Sequence, residues 1–152
     1  MEYEFVLLKQ TRRLLTQFVA GLSGEQLVKI PQGFRNNILW NVGHILVTQQ
    51  QMCYGLSGQP LLFDDDLVEQ FRKGSSPADW EKTPSFNRIK NALLSSAEQF
   101  IADYRQEKFT TFSVYESAYG MKITTIDEAV KLNNVHEAVH LGYVLAMRKL
   151  VS

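Results

Sequence analysis

From Asn36 to Phe63 the chain carries no aspartate, glutamate, lysine or arginine. A helix with a water-facing side normally places lysine and glutamate there. A helix in this stretch must therefore be covered by protein on almost every side. Asn36 or Asn37 can cap its start, and the glycines Gly55 and Gly58 mark its end. Advancing about 100° per residue from His44, Asn37, Asn41, Thr48 and Gln51 make a narrow polar stripe around the histidine, with Trp40 alongside. Ile38, Val42, Ile45, Met52, Cys53 and Leu56 fall on the opposite arc, and Leu39 and Val47 lie on the remaining side. The stripe is expected to face an internal polar pocket. One apolar face is expected to pack the core and the other to form a dimer interface.

Three further long helices are predicted. The first spans roughly Glu2 to Ala20, with Leu8, Leu15, Phe18 and Leu22 at helical spacing and Gly21 as its C-cap. Ser23-Gly24-Glu25-Gln26 opens a short capped turn that stops at Pro31. The next begins after Thr83-Pro84 and runs to about Lys108, with an apolar stripe that includes Phe86, Ile89, Leu93 and Phe100. The last opens with the capping box Thr125-Ile126-Asp127-Glu128 and continues to the C-terminus. Phe109 to Ile123 reads as a loop with short extended pieces. Ser57 to Thr83 is far longer than an antiparallel pair of helices needs, and long enough to travel back along a helix of about 30 Å. The expected architecture is a single all-α domain over residues 1–152, a four-helix bundle with a long crossover between its second and third helices.

Two of the three histidines, His136 and His140, stand four residues apart and so share a face of the last helix. Ala129, Leu132, Asn133, Tyr143, Val144, Met147 and Leu150 fall on that same side, while Asp127, Glu128, Lys131 and Lys149 fall away from it. The pair is thus expected to point into the core. Two buried imidazoles in one stripe both need polar partners, and a shared metal supplies them. The segment His136-Glu137-Ala138-Val139-His140 also spells HExxH, the zinc-peptidase motif. Such peptidases take a third ligand from downstream, yet after His140 no His, Asp or Glu follows. Glu137 is accordingly expected at the rim of the stripe, on the surface or supporting a ligand. The third arm must come from upstream, and His44 is at the middle of its helix. Three neutral imidazoles leave a divalent transition metal, zinc or nickel, its full double charge and an open position, where a water or a thiol can be made acidic. Trp40, Asn41, Asn133 and Tyr143 are expected nearest that open side, as supporting or substrate contacts. Cys53 lies across the helix from His44 and is expected to be a core residue. Asp64-Asp65-Asp66 reads as a solvated turn.

Two segments together carry a family resemblance. Asn37-Ile38-Leu39-Trp40-Asn41-Val42-Gly43-His44-Ile45, with the Leu56-Ser57-Gly58 that follows, and His136-Glu137-Ala138-Val139-His140-Leu141-Gly142 resemble the two motif blocks of the DinB/YfiT-like superfamily. The resemblance implies an up-down-down-up bundle, often a homodimer, with a divalent metal on His44, His136 and His140. It also implies a metal-dependent enzyme with a small-molecule substrate, of the kind that transfers a low-molecular-weight thiol, or a hydrolase; no catalytic residue is assigned. Where the family often has Arg-Gly-Gln after the last histidine, Leu141-Gly142-Tyr143 stands here, so substrate contacts at that point differ. The alternative is a non-enzymatic helical homodimer with a structural or vestigial metal site.

Composition removes other classes. Lysine plus arginine equal aspartate plus glutamate at 16 each, with no basic stripe, which argues against a nucleic-acid partner. No apolar run suits a membrane span. The acidic start Met1-Glu2-Tyr3-Glu4 lacks the features of a signal peptide, and a single cysteine suits a reducing compartment. A cytoplasmic protein is expected.

Overall fold

The first helix, α1 (Glu2–Val19), has Glu2 and Glu4 in its opening turn, where carboxylates favour the helix dipole. Its buried stripe is Phe5, Leu8, Arg12, Leu15 and Val19, so an arginine takes a core position at helical spacing. A computed structural model of the chain describes residues 1–151, and most of them are helical. α2 (Gly24–Val28) is opened by Ser23 and Gln26 in a reciprocal capping box, as the sequence predicts.

α3 (Ile38–Gln49) begins at Asn37, whose side chain accepts a 2.7 Å hydrogen bond from the Trp40 amide. It continues into a π-helical turn, Gln50–Tyr54, and a 3-10 turn, Gly55–Ser57, which ends at Gly58 with φ +69. Every residue from Ile38 to Val47 is buried within the one chain. The spare face that the sequence reading gave to a dimer is therefore covered internally, by α4, α5 and α6.

The crossover is not structureless. Asp64 caps α4 (Asp65–Phe71) by accepting from the Leu67 amide, and Asp65 and Asp66 occupy its first turn. The acidic run thus starts a helix instead of forming a solvated turn. A 3-10 turn, Pro77–Asp79, follows. α5 (Phe86–Arg105) is capped by Ser85, which accepts from the Arg88 amide, so it starts two residues later than Thr83-Pro84 suggests. After a β-ribbon of two short antiparallel strands, β1 (Tyr115–Glu116) and β2 (Lys122–Ile123), α6 (Ile126–Val151) completes the chain. Thr125 caps it through the Glu128 amide, and the Glu128 carboxylate accepts from Thr124.

Each of the four long helices packs against two of the others: α1 on α5 and α6, α3 on α5 and α6. Arg12 ties all four together. It donates to both Glu137 oxygens (3.1 and 2.7 Å), to the Leu93 carbonyl, to Ser96 Oγ and to Gln49 Oε1. No helix is long and apolar enough to cross a membrane among the described residues.

Candidate metal centre

His44 of α3 and His136 and His140 of α6 offer ligand nitrogens that all lie within 4.8 Å of one another. The rings are set from behind. Glycine at position 43 lets the Phe71 ring approach so closely that an added Cβ would lie 2.4 Å from it. With Phe71 seated there, its backbone carbonyl accepts a 2.7 Å hydrogen bond from His44 Nδ1. That bond fixes the tautomer and leaves the Nε2 lone pair for other work. Trp40, one turn earlier, stacks on the same ring at 4.3 Å between centroids.

His140 is fixed by a similar argument. Asn41 Nδ2 donates to the Asn37 carbonyl at 2.8 Å and lies 3.6 Å from Met147 Sδ. Its Oδ1 is consequently the atom that faces His140 Nδ1, 2.8 Å away, and the imidazole must donate. Nε2 of His140 is again left unprotonated. His136 differs: its Nδ1 is buried with no hydrogen-bond partner among the described residues. An unmet buried polar nitrogen costs about 1–3 kcal/mol, and a cation bound through it would remove the deficit. Burial also holds all three imidazoles neutral. It lowers His44 despite the Phe71 bond, takes His136 to about 4 with help from His44, and takes His140 to about 3 with help from both neighbours. Neutral imidazoles, two pinned from behind and one with an orphan nitrogen, fit a transition metal.

All three rings line one cavity of about 600 Å³. Thr48, Gln51, Met52 and Leu56 come to it from α3 and the π and 3-10 turns that continue it, and Tyr115, Ser117 and Tyr119 from the ribbon. Met52 and Leu56 appear there because the π turn, bonded i to i+5, advances less than 100° per residue and swings them back toward His44. The angular count at constant pitch puts Met52 about 80° and Leu56 about 120° from His44.

The other sequence candidates separate. Asn41 and Trp40 touch the histidines directly, and Tyr143 lines the cavity beside His140 with its ring about half exposed. Asn133 does not reach the site: its Nδ2 donates to Glu137 Oε1 in the core. Glu137 is neither at the rim nor on the surface. It is fully buried and paired with Arg12, facing away from the cavity, so it cannot serve as the general base that HExxH suggests. The reason is a rotation of the α6 core. Its buried residues centre about 30° from the histidine direction toward Glu137, taking in Val130 and Val151 and leaving Tyr143 and Leu150 exposed. The histidines stand at the edge of the core because they border a cavity. Cys53 is buried as expected, and burial raises its thiol pKa further above the ordinary value.

The sequence profile of the DinB superfamily matches residues 7–144, which include all three histidines. The chain belongs to the DinB superfamily. Among curated proteins, none matches it. In this DinB-superfamily chain the two histidine-bearing helices are α3 and α6, which pack directly on each other. The site residues that sequence reasoning missed come from the ribbon and the crossover. The Phe71 carbonyl, Lys73, Tyr115 and Ser117 have no periodicity or motif that would single them out. Arg12 did have a signal, since it interrupts an apolar stripe at core spacing.

Proposed function

We propose that His44, His136 and His140 hold a divalent transition metal, zinc or nickel, and that the protein is a metal-dependent enzyme acting on a small molecule in the adjoining cavity. The reaction classes that suit this site are transfer of a low-molecular-weight thiol and hydrolysis. The observation that carries this reading is the joint one of three clustered neutral imidazoles, two with their outer nitrogens pinned, all opening on one cavity. Bound there, such an ion supplies Lewis acidity, lowering the pKa of a water or thiol brought to it. The Phe71 carbonyl and Asn41 hold two rings in the ligating tautomer. Trp40 keeps the His44 ring from turning. Thr48 Oγ1 lies 3.3 Å from His44 Nε2, and with Gln51 and Ser117 it offers polar atoms to orient a substrate.

Metal analysis of the untagged protein tests this. One equivalent of metal per chain, lost in His44→Ala, is the expected result. Absence of stoichiometric metal, or full retention by the variant, overturns the reading. Conjugation assays with small thiols and electrophiles then test the transferase class, with the metal-stripped protein as control.

We also assign the up-down-down-up bundle. Glu4 meets Asn134 and Gln26 meets Val151, as for parallel α1 and α6. Glu2 meets Arg105 while Arg12 meets Leu93, as for antiparallel α1 and α5. Gln49 and Ser96 share Arg12 while Tyr54 meets Asp103, as for parallel α3 and α5.

A second reading, a homodimer in which the metal is only structural, is favoured by α6. Val135, Val139 and Leu150 are exposed there, along with Ala138, Gly142 and Ala146. A protein that dimerises, melts lower with chelator and shows no open coordination position would fit it. The cytoplasm is the compartment we propose, on the single buried cysteine.

A further inference from the structure

The charge on the walls of the large cavity is one-sided. The chain as a whole balances 16 cationic against 16 acidic residues, yet no aspartate or glutamate among the described residues lines this cavity. Among the described residues lining it, Lys73 alone carries a fixed charge. Arg72 next to it is held by Glu69, and the nearby pocket over the crossover sets four acids, Asp66, Glu69, Asp79 and Glu81, against two cations, Arg72 and Lys82. The acids have gone elsewhere. Glu137, next in sequence to His136, is consumed by Arg12 on the other side of the helix. The smaller cavity of about 360 Å³ that shares His140 and Tyr143 has the same sign, with Arg35 its charged lining residue. Thr48, Gln51 and Ser117 add neutral polar groups, and Met52, Leu56, Leu132, Val139, Tyr115 and Tyr119 make the apolar and aromatic part of the walls. Its volume falls in the range of sites that enclose a small molecule, about 300–1,000 Å³.

We propose that this cavity binds an amphipathic anion, with the negative group between Lys73 and the three histidines and the apolar body against Leu56, Leu132 and Tyr115. This deepens the metal reading and rests on it in part, because the ion would add two positive charges to that of Lys73. A cationic ligand would meet like charge with no carboxylate to pair it, and poorly screened like charges in a partly enclosed site discriminate strongly. A neutral ligand of the same shape would fill the apolar part and forgo the rest.

Isothermal titration of octanoate, octanamide and octylammonium into the full chain, metal-free and zinc-loaded, tests the proposal. Octanoate is expected to bind about tenfold or more tightly than octanamide, with octylammonium weakest. Lys73→Met keeps most of the stem and removes the charge; it is expected to weaken octanoate about threefold or more and leave octanamide unchanged. Lys73 is exposed, so an unchanged melting temperature verifies that the variant folds. Equal affinity for octanoate and octanamide, preference for octylammonium, no octanoate binding at millimolar concentration, or indifference to Lys73→Met each overturns the assignment. The two readings fail separately. Should zinc not bind while the metal-free protein still selects octanoate through Lys73, the anion site stands and the metal reading falls. Should zinc bind through the histidines without any selection for octanoate, the reverse holds.

Discussion

Glu137→Ala removes the carboxylate paired with Arg12, a guanidinium that has no exposed surface. Deleting one partner of a buried ion pair costs about 3–5 kcal/mol, because the other charge is left buried without compensation. Here Arg12 keeps the Leu93 carbonyl, Ser96 Oγ and Gln49 Oε1, which argues for the low end. Asn133 Nδ2 loses its acceptor as well, which pushes the other way. For a domain of this length about 2–4 °C is lost per kcal/mol, so the melting temperature should fall by about 6–20 °C. Beside Glu137→Ala, urea unfolding of the wild type, Glu137→Leu, Arg12→Met and the Arg12→Met/Glu137→Leu double variant forms a cycle. The double variant should recover most of the loss, since an apolar pair of similar volume often replaces a buried ion pair at little cost. Metal stoichiometry should not change in Glu137→Ala. A loss under about 1 kcal/mol, the size of a surface pair, would refute the buried-network reasoning. So would a Glu137→Gln variant that is fully stable and binds metal but has lost all activity, which is the behaviour of a general base.

Gly43→Ala should destabilise the protein by about 1–3 kcal/mol through overpacking against the buried Phe71 ring, and should weaken metal binding as the Phe71 carbonyl leaves His44; unchanged metal affinity contradicts this. Asn41→Leu should lower metal affinity about 10–100-fold by freeing His140, read by competition with a chromogenic chelator; equal affinity means Asn41 does not orient the ring. Asp103 is nearly buried, which raises its pKa, but Lys108, Tyr54 and Gln99 outweigh burial and the net shift is downward. A lowered carboxyl pKa adds stability above the unfolded value of 3.8 that is lost as pH falls through and below it. Tyr54→Phe should therefore flatten the acid limb of stability measured by urea midpoints below about pH 4; an unchanged acid limb counts against it.

The helices were legible because their signals are local. Capping residues and apolar spacing place α2 and the last helix well, and the lack of charge marks α3 as central. The histidine cluster was legible for a similar reason, since an i, i+4 pair and a third histidine in an uncharged helix have few places to go. Three things escaped. A π turn changes helical phase without a sequence signature, and brings Met52 and Leu56 nearer to His44 than a constant pitch does. The core direction of α6 was taken from its histidines, when Arg12 and Glu137 draw the core toward themselves. The crossover read as connection only, yet its α4 delivers the Phe71 carbonyl to the site, and no pattern of side chains reports what a backbone carbonyl will do.

Surface connections are where chains usually gain and lose residues over time. The contact between Gly43 and Phe71 restricts that freedom here. The crossover is pinned to the site by the Phe71 carbonyl on His44 and by Ser75 Oγ, which accepts from Trp40 Nε1. Lengthening the stretch from Glu81 to Pro84, beyond the Ser75 and Trp80 contacts, leaves these anchors in place. A single residue inserted within α4 turns Phe71 away by about 100° and unlatches a histidine on another helix. Insertions within the crossover thus divide into silent and disabling ones at Asp65–Phe71, a boundary that distance from the histidines along the chain would never suggest.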